Sequence, residues 1–171
     1  MSDAYIEKAK QLLNSKKYRE AALLIDQLLA KNKENDELWY LRGLVSLKVK
    51  SYAAAHECLA RAASLKRKPE YYKLSGMASM ECYEFEAALE SFMLASGMDK
   101  QDPELPFYIS ICYMFLNDPM GKQYMEKAFT MNKKRTKQLI SEFYSIFFKN
   151  DKEISGKVKS ELEKKIDGIK T

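Results

Sequence analysis

Trp39–Tyr40–Leu41–Arg42–Gly43, followed by Tyr52–Ala53–Ala54–Ala55 and closed by Leu59 and Ala62, decides the fold. Moved 34 residues toward the N-terminus, the pattern falls on Tyr5, Ala9, Tyr18, Ala21, Ile25 and Leu28. Moved 33 residues forward, it falls on Tyr72, Gly76, Phe85, Ala88, Phe92 and Ala95. Aromatic, small, aromatic, small, large apolar recur in all three registrations, with a small sixth residue in two and Leu28 in the first, and this period defines a repeat protein. Gly43, Gly76 and Ala9 let one helix approach its partner, as Ala55, Ala88 and Ala21 do from the other side. Leu59, Phe92 and Ile25 then fill the space between them. One such unit cannot bury its own apolar face, so units stack.

These landmarks resemble the tetratricopeptide repeat, a helix–turn–helix unit. The resemblance implies an all-α, right-handed α-solenoid of about four helix hairpins with C-terminal capping helices, its concave face lined by the first helix of each hairpin.

The expected organisation is one domain over 1–171, with repeats at 2–35, 36–68, 69–102 and 103–132 and terminal helices at 134–149 and 151–168. Asn35 or Asp36 can cap the second repeat, and Lys68–Pro69 opens the third. Asp102 as cap with Pro103 as first helical residue opens the fourth. That repeat is degenerate. Asn117–Asp118–Pro119 stops its first helix, Pro119 can begin the second, and the aromatic expected at the turn is missing. Gly121, Met125 and Ala128 keep the later landmarks, and Ser110 stands for the small residue of the first helix. Beyond it, Leu139, Ile140, Phe143, Tyr144, Phe147 and Phe148 share a helical face. Ile154, Val158, Leu162 and Ile166 then recur at four-residue spacing, as a capping helix requires.

Composition sets limits. The chain has 171 residues, 46% apolar and 31% charged, with 29 basic against 24 acidic residues and a net charge of +5. The interleaving of signs argues against nucleic acid, which usually selects a clustered basic excess. Met1–Ser2–Asp3–Ala4–Tyr5 carries no secretory signature, and no apolar run reaches membrane-spanning length. Three separated cysteines, Cys58, Cys82 and Cys112, read as free thiols of a cytoplasmic protein. No catalytic constellation, metal cluster, phosphate loop or cofactor motif is found. His56, the sole histidine, reads as a surface or groove-rim residue.

The binding surface is expected on the first helices of the hairpins. In the tetratricopeptide arrangement the groove-facing positions are Tyr40, Leu41, Leu44, Leu47 and Lys48, then Leu74, Met77 and Met80, then Phe107, Tyr108, Ile111, Met114 and Phe115. Together they form an apolar, Met-containing trough that is costly to leave in water. Leu44 and Met77 stand where a carboxylate clamp would place Asn, which argues against capture of a C-terminal carboxylate.

From Tyr52 to Cys112 the chain is also similar to the translocator chaperones of type III secretion systems. The similarity runs through Tyr52–Ala53–Ala54–Ala55–His56, Tyr83–Glu84–Phe85–Glu86–Ala87–Ala88 and Pro103–Glu104–Leu105–Pro106–Phe107–Tyr108. It implies a non-enzymatic, chaperone-like module holding an extended, partly apolar partner segment against Tyr40, Leu44, Leu74, Met77, Phe107, Tyr108 and Ile111. The competing reading is a scaffold for a multiprotein complex, assembling as a homodimer through its terminal repeats.

Overall fold

The structure, a computed structural model, describes residues 2–149 together with 155, 156, 159, 160 and 164. The helix expected over 151–168 lies outside the described residues apart from those positions. Among the described residues there are helices and no strand: α1 Ser2–Asn14, α2 Tyr18–Lys31, α3 Asp36–Lys48, α4 Tyr52–Leu65, α5 Pro69–Glu81, α6 Phe85–Met98, α7 Leu105–Phe115 and α8 Met120–Phe147.

The hairpin turns repeat as strictly as the side chains. Lys16, Lys50, Tyr83 and Asn117 have φ of 59°, 60°, 62° and 55°, each in the left-handed region. The next amide closes each turn: Lys17 N to Leu12 O at 2.9 Å, Ser51 N to Ser46 O at 2.8 Å, Glu84 N to Ser79 O at 2.9 Å, Asp118 N to Tyr113 O at 2.8 Å. A left-handed residue of this kind ends a helix and satisfies its last carbonyls. None of the four is glycine, so the sequence carries no glycine signal there.

The chain divides into two compact units, Met1–Lys100 and Gln101–Thr171. In the first, each helix from α1 to α6 packs on the next, and α1 also touches α3. Ile6, Ala9, Ala21, Ile25, Leu29, Leu38, Leu41 and Val45 form one buried cluster across α1, α2 and α3. The small–large contacts lie where the period places them. A Cβ on Gly43 would stand 2.7 Å from Leu59 Cγ, and one on Gly76 2.7 Å from Phe92 Cε1.

Adjacent repeats are tied by a polar junction. Asn35 caps α3, its Oδ1 accepting from Leu38 N at 3.0 Å, which frees Asp36 for another task. Tyr71 Oη donates to Asp36 Oδ2 at 2.6 Å, and Lys68 Nζ reaches the same oxygen at 2.9 Å. Burial alone would raise the Asp36 pKa; the bonds from Tyr71 and Lys68 outweigh it and hold the carboxyl below its ordinary 3.8. Burial and the bond to Asp36 push Tyr71 up to about 12, so it remains a donor.

The second unit is α7 packed on α8. α7 starts at Leu105 rather than Pro103, with Pro106 in its first turn. Asp102 Oδ1 accepts from Glu104 N at 2.8 Å, closing a local turn that keeps Pro103 outside the helix. Likewise Asp118 Oδ1 accepts from Met120 N at 2.8 Å, and Pro119 is the cap of α8 instead of its first helical residue. α8 consists of two arms meeting at Asn132, whose φ of −156° and ψ of 88° are non-helical. Asn132 Oδ1 accepts from Arg135 N at 3.0 Å, so the residue that breaks the first arm caps the second.

Gly76→Ala is expected to cost about 1–3 kcal/mol because the fully buried Phe92 ring cannot withdraw. A Cβ on Gly97 would meet nothing within 4 Å, so Gly97→Ala is expected to stabilise by about 0.5–1 kcal/mol. Urea denaturation separates them; shifts of the same sign would contradict the packing argument.

Because the folded pKa of Asp36 is depressed, its ionised form stabilises the fold above the ordinary carboxylate range, and the benefit is lost as pH falls through the depressed value. Asp36→Asn should therefore cost about 1–2 kcal/mol at neutral pH. The gap should close as pH drops below 3.8. A gap independent of pH, in denaturation curves along a pH series, would remove the carboxylate from this account.

Candidate functional site

In the first three hairpins the filler residues Ile25, Leu59 and Phe92 are fully buried. Met125 holds that position in the fourth and is only half-buried. Closure there is made instead by Ser110 and Gly121. Ser110 Oγ donates to Gly121 O at 2.7 Å, and a Cβ on Gly121 would stand 2.9 Å from Met114 Cγ and 3.2 Å from Ser110 O. The start of α8 is thus seated on α7 by its backbone, and Met125, one turn on, lines a space rather than plugging it.

That space is a hollow of about 690 Å³ inside the second unit. Phe107, Ile111, Met114 and Phe115 of α7 form one wall; Gly121, Lys122, Met125 and Phe129 of the first arm of α8 form another. Ile140, Phe143 and Tyr144 of the second arm, with Phe148 just beyond it, complete the lining, in which Lys122 is the only charged side chain among the described residues. Phe143 sits edge-on to Phe107 and Phe115, centroids 6.3 Å apart in each case, and to Phe148 at 5.8 Å. Such edge contacts suit the ring quadrupole. Arg135 anchors the second arm, donating to Glu104 at 2.6 Å and Glu142 at 3.0 Å. The rim is open to water: Met114 is 56% exposed and Phe115 41%.

Four residues expected in the groove, Phe107, Ile111, Met114 and Phe115, therefore share this hollow. Ile111 is 6% exposed and Phe107 only 1%, so Phe107 backs the hollow and offers a partner no surface of its own, a correction to the expectation for that residue. Tyr108 is half-buried beside them, and burial drives its hydroxyl pKa further above the ordinary 10. In the first unit, Tyr40, Leu44, Leu47, Leu74 and Met77 are half-buried and Lys48 is exposed; the Tyr40 ring lies 5.0 Å from that of Tyr71. Leu41 and Met80 are each only 3% exposed and offer a partner no surface, which corrects the expectation for these two. Helical spacing explains it: Leu41 shares a face with buried Leu38 and Val45, and Met80 with Gly76, so both point into the hairpin packing.

Sequence reasoning did not place Met125, Phe129, Ile140, Phe143, Tyr144 and Phe148 at the site. The signal was the aromatic run Phe143–Phe148 on one helical face. That run falls on the terminal helix expected over 134–149, outside the first helices that line a tetratricopeptide groove.

Other chemistry is structural. Nδ1 of His56 lies 3.0 and 3.1 Å from the hydroxyl oxygens of Ser75 and Ser79. The ring is half-buried and bridges α4 and α5. Cys58, Cys82 and Cys112 are free. Burial pushes the Cys112 thiol up to about 12 and raises the other two, so none is an activated nucleophile at neutral pH. Among the described residues no group of His, Cys, Asp or Glu could hold a metal ion, and no helix is long and apolar enough to cross a membrane. A polar depression of about 750 Å³ along the second arm of α8 is lined by Lys133, Lys134, Lys137, Gln138, Ser141 and Glu142. Its three lysines gather basic charge, but Glu142 stands among them and the neighbouring Arg135 is taken by two carboxylates.

No protein-family profile matches the chain, and no curated protein does so by sequence. Solved structures do match. A crystal structure of MamA protein aligns with TM-score 0.76 at 16% identity over 98% of this chain and 89% of that one. A double mutant, MamA RS-1 ArsTM, aligns with TM-score 0.77 at 13% identity over 99% and 94%. MamA 41-end from Desulfovibrio magneticus RS-1 gives 0.72 at 18% over 78% and 76%. The fold is therefore that of all-α solenoids built from tetratricopeptide-type hairpins. At these identities the likeness to MamA establishes the fold alone.

Proposed function

We propose that this chain is a non-enzymatic protein-interaction module that holds an apolar segment of a partner protein in the hollow of its second unit. The observation that carries the reading is the lining of that hollow, whose volume of about 690 Å³ falls within the ~300–1,000 Å³ usual for ligand sites. Each Leu- or Phe-sized side chain placed there would contribute roughly 1.5–3 kcal/mol, from which the cost of ordering the segment is subtracted. Met114 and Met125 suit irregular partners because thioethers repack easily. Tyr40, Leu44, Leu47, Leu74 and Met77 offer the same chemistry in the first unit, and we assign them a supporting part.

The finer reading is a chaperone that keeps a membrane-active partner unfolded before export, in the manner of type III secretion translocator chaperones. It is supported by the Pro103–Phe107 run and by the position of Phe107 in the wall of the hollow. Free thiols support a reducing, cytoplasmic setting.

Peptides selected on the full-length chain from a random displayed library should be rich in Leu, Ile, Phe and Met. Met114→Glu and Met125→Glu should each weaken a selected peptide ten-fold or more, with circular dichroism unchanged. Leu44→Glu and Met77→Glu should have smaller effects. Unchanged affinity in both hollow variants would overturn the assignment.

A further inference from the structure

We propose that the partner segment is acidic as well as apolar: its apolar side chains enter the hollow while carboxylates beside them meet Lys133, Lys134 and Lys137 on the second arm of α8. The proposal rests on the reading above and names the class of partner. Helical periodicity carries it. Ile140 and Tyr144 line the hollow, and Lys133 and Lys137 line the depression along the same arm. In the sequence Lys133, Lys137, Ile140 and Tyr144 follow one another at steps of four, three and four residues, the spacing of one helical stripe. The arm therefore changes from basic to apolar along a single line. At roughly 1.5 Å per residue, Lys133 stands about 16 Å along the axis from Tyr144. An extended segment of about five residues covers that distance, so one short stretch of a partner spans both surfaces.

The lysine charge has no local answer. Arg135 holds Glu104 at 2.6 Å and Glu142 at 3.0 Å, so the one carboxylate in the depression is already matched. Among the described residues no ion pair reaches Lys133, Lys134 or Lys137. The same holds for Lys122, the only charged side chain in the described lining of the hollow. Cations on both arms of α8 repel a basic segment and favour an acidic one. The sequence over 151–171 adds six Lys against five Asp or Glu and does not reverse the balance. A nucleic acid would need the basic stripe to continue. Here it gives way to Ile140 within one turn of Lys137, which favours a peptide carrying both chemistries.

Three fluorescein-labelled peptides test this on the full-length chain by anisotropy. They share one apolar core of Leu, Phe and Met and carry on one side a run of Glu, of Gln or of Lys. At low salt the Glu peptide should bind about ten-fold more tightly than the Gln peptide, the scale of three exposed ion pairs, and the Lys peptide more weakly than either. The Glu advantage should shrink at about 0.5 M salt. In Lys133→Glu/Lys134→Glu/Lys137→Glu it should vanish while the Gln peptide binds as before, and in Met125→Glu all three peptides should weaken. Circular dichroism checks the fold; should charge reversal disturb it, Lys133→Gln/Lys134→Gln/Lys137→Gln decides instead. Equal low-salt affinity for the Glu and Gln peptides would sink this inference and leave the binding module standing. Glu-peptide binding that ignores Met125→Glu would make the basic stripe a separate site and overturn the proposal. So would single-stranded RNA retained by the chain and released by the lysine variant. Binding of none of the three peptides would sink the binding module, and this inference with it.

Discussion

Everything in this molecule depends on how closely two helices can approach within a hairpin. Where a glycine faces a large side chain, as Gly43 faces Leu59 and Gly76 faces Phe92, the large residue fills the whole interface and is sealed from water. Close packing of this kind leaves no room for a ligand. The fourth hairpin obeys the same constraint with a different solution. Gly121 meets α7 by its backbone, Ser110 donates to the Gly121 carbonyl, and the filler Met125 is released to line a hollow. The hollow is thus a consequence of the repeat's degeneracy and not an addition to it.

The polar junctions distribute tasks in the same economical way. Asn35 caps α3, which leaves Asp36 to gather Tyr71 and Lys68 from the next repeat. Asn132 ends one arm of α8 and caps the other, directing the second arm so that Arg135 reaches Glu104 and Phe143 reaches Phe107. The surface ion pairs elsewhere, such as Lys10 with Glu37, contribute little by comparison because water screens them.

The repeat period was legible because it is written in side-chain size, and size alternation survives without any special residue. Helix boundaries were less so: Asp102 and Asp118 bind amides two residues on, not three, so both helices begin later than their prolines suggest. The turns were located by polarity, but of their left-handed residues, Lys16, Lys50, Tyr83 and Asn117, only Asn117 is a type that favours that conformation. A third of the hollow's lining was legible for the same reason as the fold. Phe107, Ile111, Met114 and Phe115 follow the outward stripe of a first helix. The rest comes from α8, whose kink at Asn132 swings a second aromatic face onto α7, and no local pattern reports where a kink sends a helix.

The central claim is that binding happens where the fourth hairpin fails to fill itself. Methyl spectra of the full-length chain labelled with [¹³C-methyl]methionine, recorded while a selected apolar peptide is added, test it most directly. The account predicts that the Met114 and Met125 signals move together while those of Met93 and Met98 stay in place. Saturable binding that shifts Met77 and leaves Met114 and Met125 untouched would contradict it.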